Sequence, residues 1–160
     1  MNNVQSIEKS AGTNLKLQAR RVIKASRERV FAAWTKPELI QKWFMPGQMV
    51  VTGAVADVRP GGAYRIDVEG VMCDGSSNEI KPAHMKGVYR EVVPNERLQF
   101  TWTGHRWPDE ESLVTVELRD VEGGTELVLT HENFRSEESR AAHESGWAKV
   151  LDSLVSFCQG

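Results

Sequence analysis

Two cysteines are all that the 160 residues contain. Cys73 and Cys158 stand far apart and form neither a CxxC pair nor zinc-ligand spacing, so a disulfide scaffold, a structural metal and a dithiol redox site have no basis in the sequence. Both are expected as reduced thiols. Charge of one sign is lacking too: 20 Lys and Arg stand against 22 Asp and Glu, a net of −2, mixed along the whole chain. That leaves no basic face for nucleic acid and no polybasic anchor for a membrane. Long apolar runs are also missing. None approaches the roughly 18 residues of a spanning helix, and residues 1–14 lack the apolar core of a signal peptide. These absences predict a cytoplasmic protein with no membrane insertion and no nucleic-acid partner, preceded by a disordered tail over residues 1–14. Internal repeats and low-complexity tracts are absent as well.

What is present suits a single domain over residues 15–160, a length that buries roughly 70% of the surface its unfolded chain would expose. Residues 15–24 alternate loosely and are rich enough in branched side chains for a strand. Ser26 then offers an N-cap, with Val30, Phe31 and Trp34 at helical spacing behind it. Pro37 closes that helix and opens a second short one carrying Leu39, Ile40 and Trp43. Further strands are predicted at 49–58, 63–68, about 83–93, 98–103, 113–120 and 125–131. Arg59-Pro60-Gly61-Gly62, Asp74-Gly75, Pro94-Asn95 and Glu122-Gly123-Gly124 supply the turns between them. In the run 113–120, Val114, Val116 and Leu118 share one face while Thr115, Glu117 and Arg119 share the other, as in a sheet with one wet side. The polar stretch 71–82 is expected as the longest loop, with a lid as its functional reading.

The last third carries the strongest pattern. Ser136 caps a long helix with Glu137 and Glu138 in its first turn, and His143, Trp147, Val150, Leu151, Leu154 and Cys158 follow at steps of three and four. Gly146 is placed on the inner side of this helix, where a missing side chain would leave room beneath it.

This order of elements resembles the START-like or SRPBCC superfamily, and within it the family of homologues of the activator of the heat-shock-protein ATPase. The resemblance rests on VFAAWTKPELIQKWF, DVRPGGAYR, GVYREVVPNERLQFTW, VTVEL, GGTELVLTHENF and HESGWAKVLDSL, in that order along the chain. It implies an α+β helix-grip fold: a bent seven-stranded antiparallel sheet around the C-terminal helix, a cavity between them and two short helices after the first strand. It also implies a small hydrophobic or amphipathic ligand in that cavity. A cyclase-, aromatase- or hydrolase-like enzyme is the alternative, and a chaperone ATPase co-factor is a second one. Members with the chaperone role carry a further N-terminal domain, where this chain shows about fourteen polar residues.

The chemistry-bearing candidates are few. His131 falls on the inward parity of Leu127 and Leu129, and His143 lies on the inner helix stripe; two imidazoles at one cavity are candidate general bases. The plainer reading of each is a buried histidine bonded to its neighbours. Without a third ligand the pair makes no metal site, and no cofactor is expected. Trp102, His131, His143, Gly146 and Trp147 are the expected ligand-binding residues. Trp34 and Trp43 are assigned to the core, and Trp107, in a polar hairpin, to a cavity mouth or partner surface. Asp57, Arg59, Arg65, Arg90 and Glu91 are assigned to solvated faces or cross-strand ion pairs. The exposed strand edge and Trp107 both offer a homodimer contact.

Overall fold

Alternating strands and well-marked turns produce most of this architecture. The computed structural model describes residues 15–44, 49–71 and 80–160. Strand β1 (Leu15–Ile23) leads into two short helices, α1 (Arg27–Thr35) and α2 (Pro37–Trp43). A meander follows: β2 (Met49–Ala56), β3 (Ala63–Val71), β4 (Ile80–Val93), β5 (Arg97–Trp102), β6 (Ser112–Val121) and β7 (Gly124–Phe134). Helix α3 (Glu137–Gln159) comes last. The strands form one antiparallel sheet in the order β1-β7-β6-β5-β4-β3-β2. This is the helix-grip arrangement. Most of the expected 71–82 loop, with Cys73, lies outside the described residues, as does the segment 1–14.

Local chemistry explains the boundaries. Ser26 accepts a hydrogen bond from the Arg29 amide (3.2 Å), Pro37 opens α2, and Ser136 accepts from the Ser139 amide (3.1 Å) at the start of α3. Asn95 (φ 66°) and Gly123 (φ 85°) turn the β4–β5 and β6–β7 hairpins through the left-handed region. Strand β7 runs past the expected end at residue 131. A register shift between Leu15 and Lys16, with Asn133 opposite at φ 71°, makes a bulge that turns Phe134 back into the core at 2% exposure. Buried Glu110 ties the β5–β6 connection to α3. Its carboxylate accepts from the Arg135 amide and from the Ser139 hydroxyl, each at 2.7 Å.

The sheet's two faces differ as alternation predicts. Val114, Val116 and Leu118 are buried, whereas Glu117 and Arg119 on the same strand are exposed. Outside, charges pair across strands: Glu126 with Arg20 and Arg119, and Arg97 with Glu91 and Glu117. Asp57 pairs with Arg59 and Arg65 with Asp67, as expected for a solvated face, and Arg90 is exposed. Inside, α3 packs chiefly on β1 and α2 on β2.

Gly146 is a correction. It lies on the solvent side of α3, and a Cβ built there meets nothing within 4 Å. At roughly 100° per residue, Gly146 stands a quarter turn or more from the line through Trp147, Leu151, Leu154 and Cys158. Its neighbour in sequence is buried, but the glycine itself is not.

Candidate functional site

The concave face of the sheet brings together a wall of aromatic rings. On β3, Tyr64 and Ile66 point inward two residues apart; on β4 Tyr89 does so, and on β5 Leu98, Phe100 and Trp102 share the same parity. The helices supply the roof: Trp34 from α1, Ile40 and Trp43 from α2, and Phe44 just past its end. These side chains, with Val55 of β2, line one cavity. The rings touch in a chain. Trp34 meets Trp43 edge-on at 5.0 Å, Tyr64 meets Phe100 at 5.4 Å and 82°, and Phe44 meets Trp102 at 6.1 Å. About 30 Å³ remains between them, room for a water molecule or two. Val55 borders this space from β2 but pairs with Arg65, so its exposed side chain belongs to the outer face, whereas Ala54 and Ala56 pair with the inward Ile66 and Tyr64.

The polar atoms around it are mostly occupied. Trp43 donates its indole N–H to the Ala33 carbonyl (2.8 Å) and Tyr64 its hydroxyl to the Thr101 carbonyl (2.6 Å). Burial pushes the Tyr64 phenol well above its usual range; burial, then the nearby Asp57 charge, pushes Tyr89 up to about 12. Both phenols are therefore neutral. Trp34, one of the lining residues, has a buried Nε1–H with no hydrogen-bond partner.

Behind Trp102 lies a second cluster, containing both histidines, with ring centres 4.9 Å apart. Their tautomers follow from the donors around them, because an indole N–H can only donate and a carbonyl only accept. Trp147 Nε1–H donates to His131 Nδ1 at 2.9 Å. The proton of His131 therefore sits on Nε2, which faces Ser112 Oγ at 2.7 Å; that hydroxyl in turn donates to the Trp102 carbonyl at 3.0 Å. Trp102 Nε1–H donates to His143 Nε2 at 3.2 Å, so His143 Nδ1–H donates to the Ser139 carbonyl at 2.8 Å. All four ring nitrogens are engaged. Burial, then the neighbouring His143, holds His131 well below its usual 6.5; burial also lowers His143, against the opposing pull of its bond to Ser139. A second proton on His131 Nδ1 would meet the indole N–H of Trp147 head-on.

The structure thus divides the expected site residues. Trp102 lines the cavity on one side and binds His143 on the other. His131, fully buried, and His143 belong to the hydrogen-bonded cluster behind it. Trp147 packs against Trp34, Phe44 and Trp102 at 6.0, 6.3 and 5.3 Å without lining the space, and Gly146 faces away. Trp107 is half-buried beside His143, its ring 5.4 Å from the imidazole, and the Arg106 guanidinium lies 4.5 Å over the Trp107 ring. The sequence reading did not name Ile40, Phe44, Tyr64, Ile66, Tyr89, Leu98 or Phe100 as lining residues, and it favoured core packing over pocket lining for Trp34 and Trp43. The inward parity of β3 was legible; which part of that inner face stays uncovered was not. Among the described residues no three metal-ligating side chains come together, and no helix is long and apolar enough to cross a membrane.

With this geometry in view, the relatives of the chain carry meaning. The family described as Activator of Hsp90 ATPase homolog 1-like protein matches residues 24–159. Among solved structures, protein CV1439 from Chromobacterium violaceum superposes with a TM-score of 0.75 at 24% identity, over 91% of this chain and 98% of that one. An uncharacterised protein from Rhizobium leguminosarum gives 0.72 at 28% identity over 91% and 95%. A protein from Aeromonas hydrophila titled as AHSA1-like gives 0.72 at 23% over 89% and 91%. None of the curated proteins matches the chain.

Proposed function

Because the chain belongs to the Activator of Hsp90 ATPase homolog 1-like family, whose fold is associated with small-molecule binding, we propose that it binds a small, neutral, apolar or aromatic molecule in the cavity under α1 and α2. One observation carries this reading: the eleven described residues lining the cavity are all apolar or aromatic, seven of them aromatic. Burial of apolar surface supplies the affinity, and a few polar atoms supply orientation. The 30 Å³ left between the rings is far below the roughly 300–1,000 Å³ of an open ligand pocket, so a guest enters by displacing rings. Phe44, just past the end of α2, is the lining ring carried by neither a helix nor a strand. The arrangement lends no support to a general base at His131 or His143, since each ring nitrogen already has a partner.

The test is titration with the neutral fluorophore N-phenyl-1-naphthylamine. Wild type is expected to bind it, and Phe44→Lys, which sets a charge among the lining residues just past α2, is expected to weaken binding by about tenfold or more, with circular dichroism checking that the fold is kept. Equal affinity in the two proteins would place the probe elsewhere and overturn the reading.

A further inference from the structure

We propose that the indole N–H of Trp34 is the recognition donor of this cavity, and that its ligand is a neutral aromatic compound presenting one hydrogen-bond acceptor, such as a ketone, ester or ether oxygen. The inference rests on the ligand-binding reading above and narrows it to a chemical class.

Three adjacent indoles show what is unusual about Trp34. Trp43, Trp102 and Trp147 each give their N–H to a named acceptor: the Ala33 carbonyl, His143 Nε2 and His131 Nδ1. Trp34 is equally buried, at 6% exposure, yet its N–H is the one buried side-chain donor among the described residues with no partner. Buried donors in native proteins are nearly always satisfied, and Trp34 is one of the residues lining the cavity, so its open donor is where an acceptor arriving from outside would be met. The position suits that role. The Trp34 ring lies between Trp43 at 5.0 Å, Trp147 at 6.0 Å and Phe100 at 6.4 Å, so an acceptor bonded to its nitrogen belongs to a molecule held among aromatic faces.

The surroundings fix the charge of that molecule. Tyr64 and Tyr89 line the cavity as neutral phenols, and His131 behind it is held neutral. No Lys, Arg, Asp or Glu is among the described lining residues. A carboxylate or an ammonium group would be buried there without a counter-charge, which is costly, whereas a carbonyl or ether oxygen asks only for the donor. Because the Tyr64 hydroxyl proton is already committed to Thr101, it does not compete for the acceptor.

The experiment uses two probes of nearly the same shape, 2-acetylnaphthalene and 2-ethylnaphthalene, which differ in a carbonyl. Wild type is expected to prefer the ketone by roughly five- to tenfold beyond the preference set by partitioning into octanol, and Trp34→Phe to bring that margin to within about twofold while still binding the hydrocarbon. In wild type the indole N–H resonance of Trp34 is expected to move downfield with the ketone and not with the hydrocarbon, a readout that needs no variant. Equal binding of the two probes by wild type, with the Trp34 resonance unmoved, would show that a water satisfies the N–H; the donor role would fall and the cavity reading would stand. A ketone preference retained in Trp34→Phe would assign the donor elsewhere and overturn the proposal. Binding of neither probe would remove the ligand-binding reading and this inference with it.

Discussion

Lowering the pH is expected to destabilise this protein through its histidine pair, and the size of the effect follows from the geometry. His131 is fully buried with both nitrogens engaged, and His143 is its half-buried neighbour. Both are held below the usual 6.5, first of all by burial. Well above pH 6.5 neither the folded nor the unfolded chain protonates them, and stability is complete. As the pH falls through 6.5, the unfolded imidazoles take up protons that the folded ones refuse, so stability is lost on going down. An imidazole that stays neutral in the fold costs about 1.4 kcal/mol between pH 7.5 and 5.5 by linkage. His131 is expected to contribute about that much, and His143 a smaller share, against total stabilities of roughly 5–15 kcal/mol for domains in general. Other shifted groups stay out of this window. Glu126 and Glu137, lowered chiefly by bonds to Arg119 and Arg140, act below pH 4.5, and Cys158, raised by burial, acts above pH 9.0. The assay is urea denaturation at both pH values, for wild type and for His131→Phe, which roughly keeps the ring volume and cannot titrate. The variant is expected to be less stable at pH 7.5, because Trp147 and Ser112 lose their partner, but to lose about 1.4 kcal/mol less than wild type on acidification. An equal pH dependence in both proteins would refute the buried, neutral assignment of His131.

Gly146→Ala is expected to stabilise the protein by roughly 0.5–1 kcal/mol, since an exposed mid-helix glycine gives up backbone entropy for nothing and the new methyl meets open space. A lower denaturation midpoint would mean that the glycine faces the sheet. Glu110→Ala is expected to cost about 2–3 kcal/mol, because the part-buried Arg135 amide and the buried Ser139 hydroxyl lose their common acceptor. Hydrogen exchange at the first turn of α3 should accelerate with it; unchanged protection there would show that the carboxylate does not hold the helix.

Much of the fold was legible because its signals are local. Period-two alternation marks Val114, Val116 and Leu118, Ser26 and Ser136 cap their helices through one side-chain oxygen, and the glycine- and asparagine-bearing turns fall between strands. The extension of β7 escaped this reading because it depends on a bulge at Asn133, which shifts the parity of Phe134 after a regular stretch. The site was less legible for a related reason. Period-two parity says that Tyr64, Ile66, Tyr89 and Phe100 face inward, but whether a helix covers them or leaves a gap depends on how the sheet bends and where α1 and α2 come to rest. The histidines were correctly placed inside. Their partners were hidden, since pairing His131 with Trp147 and His143 with Trp102 needs the crossing of α3 over β5, β6 and β7. Gly146 was misplaced because membership of an apolar stripe by spacing of three or four is looser than the angle around the helix axis.

The sheet order also sets the sequence of events in folding. Every strand from β2 to β7 pairs with its neighbour in the chain, whereas β1 pairs with β7, joining positions more than 100 residues apart. Closing that ring costs the most chain entropy, and hydrophobic contacts repay it only once β7 exists as a template. The meander is therefore the expected folding nucleus, with β1, and α3 packed chiefly on it, expected to dock late. Substitutions at the seam, such as at buried Leu17 opposite His131, accordingly act on how fast the native protein opens and leave the rate at which it first assembles almost untouched.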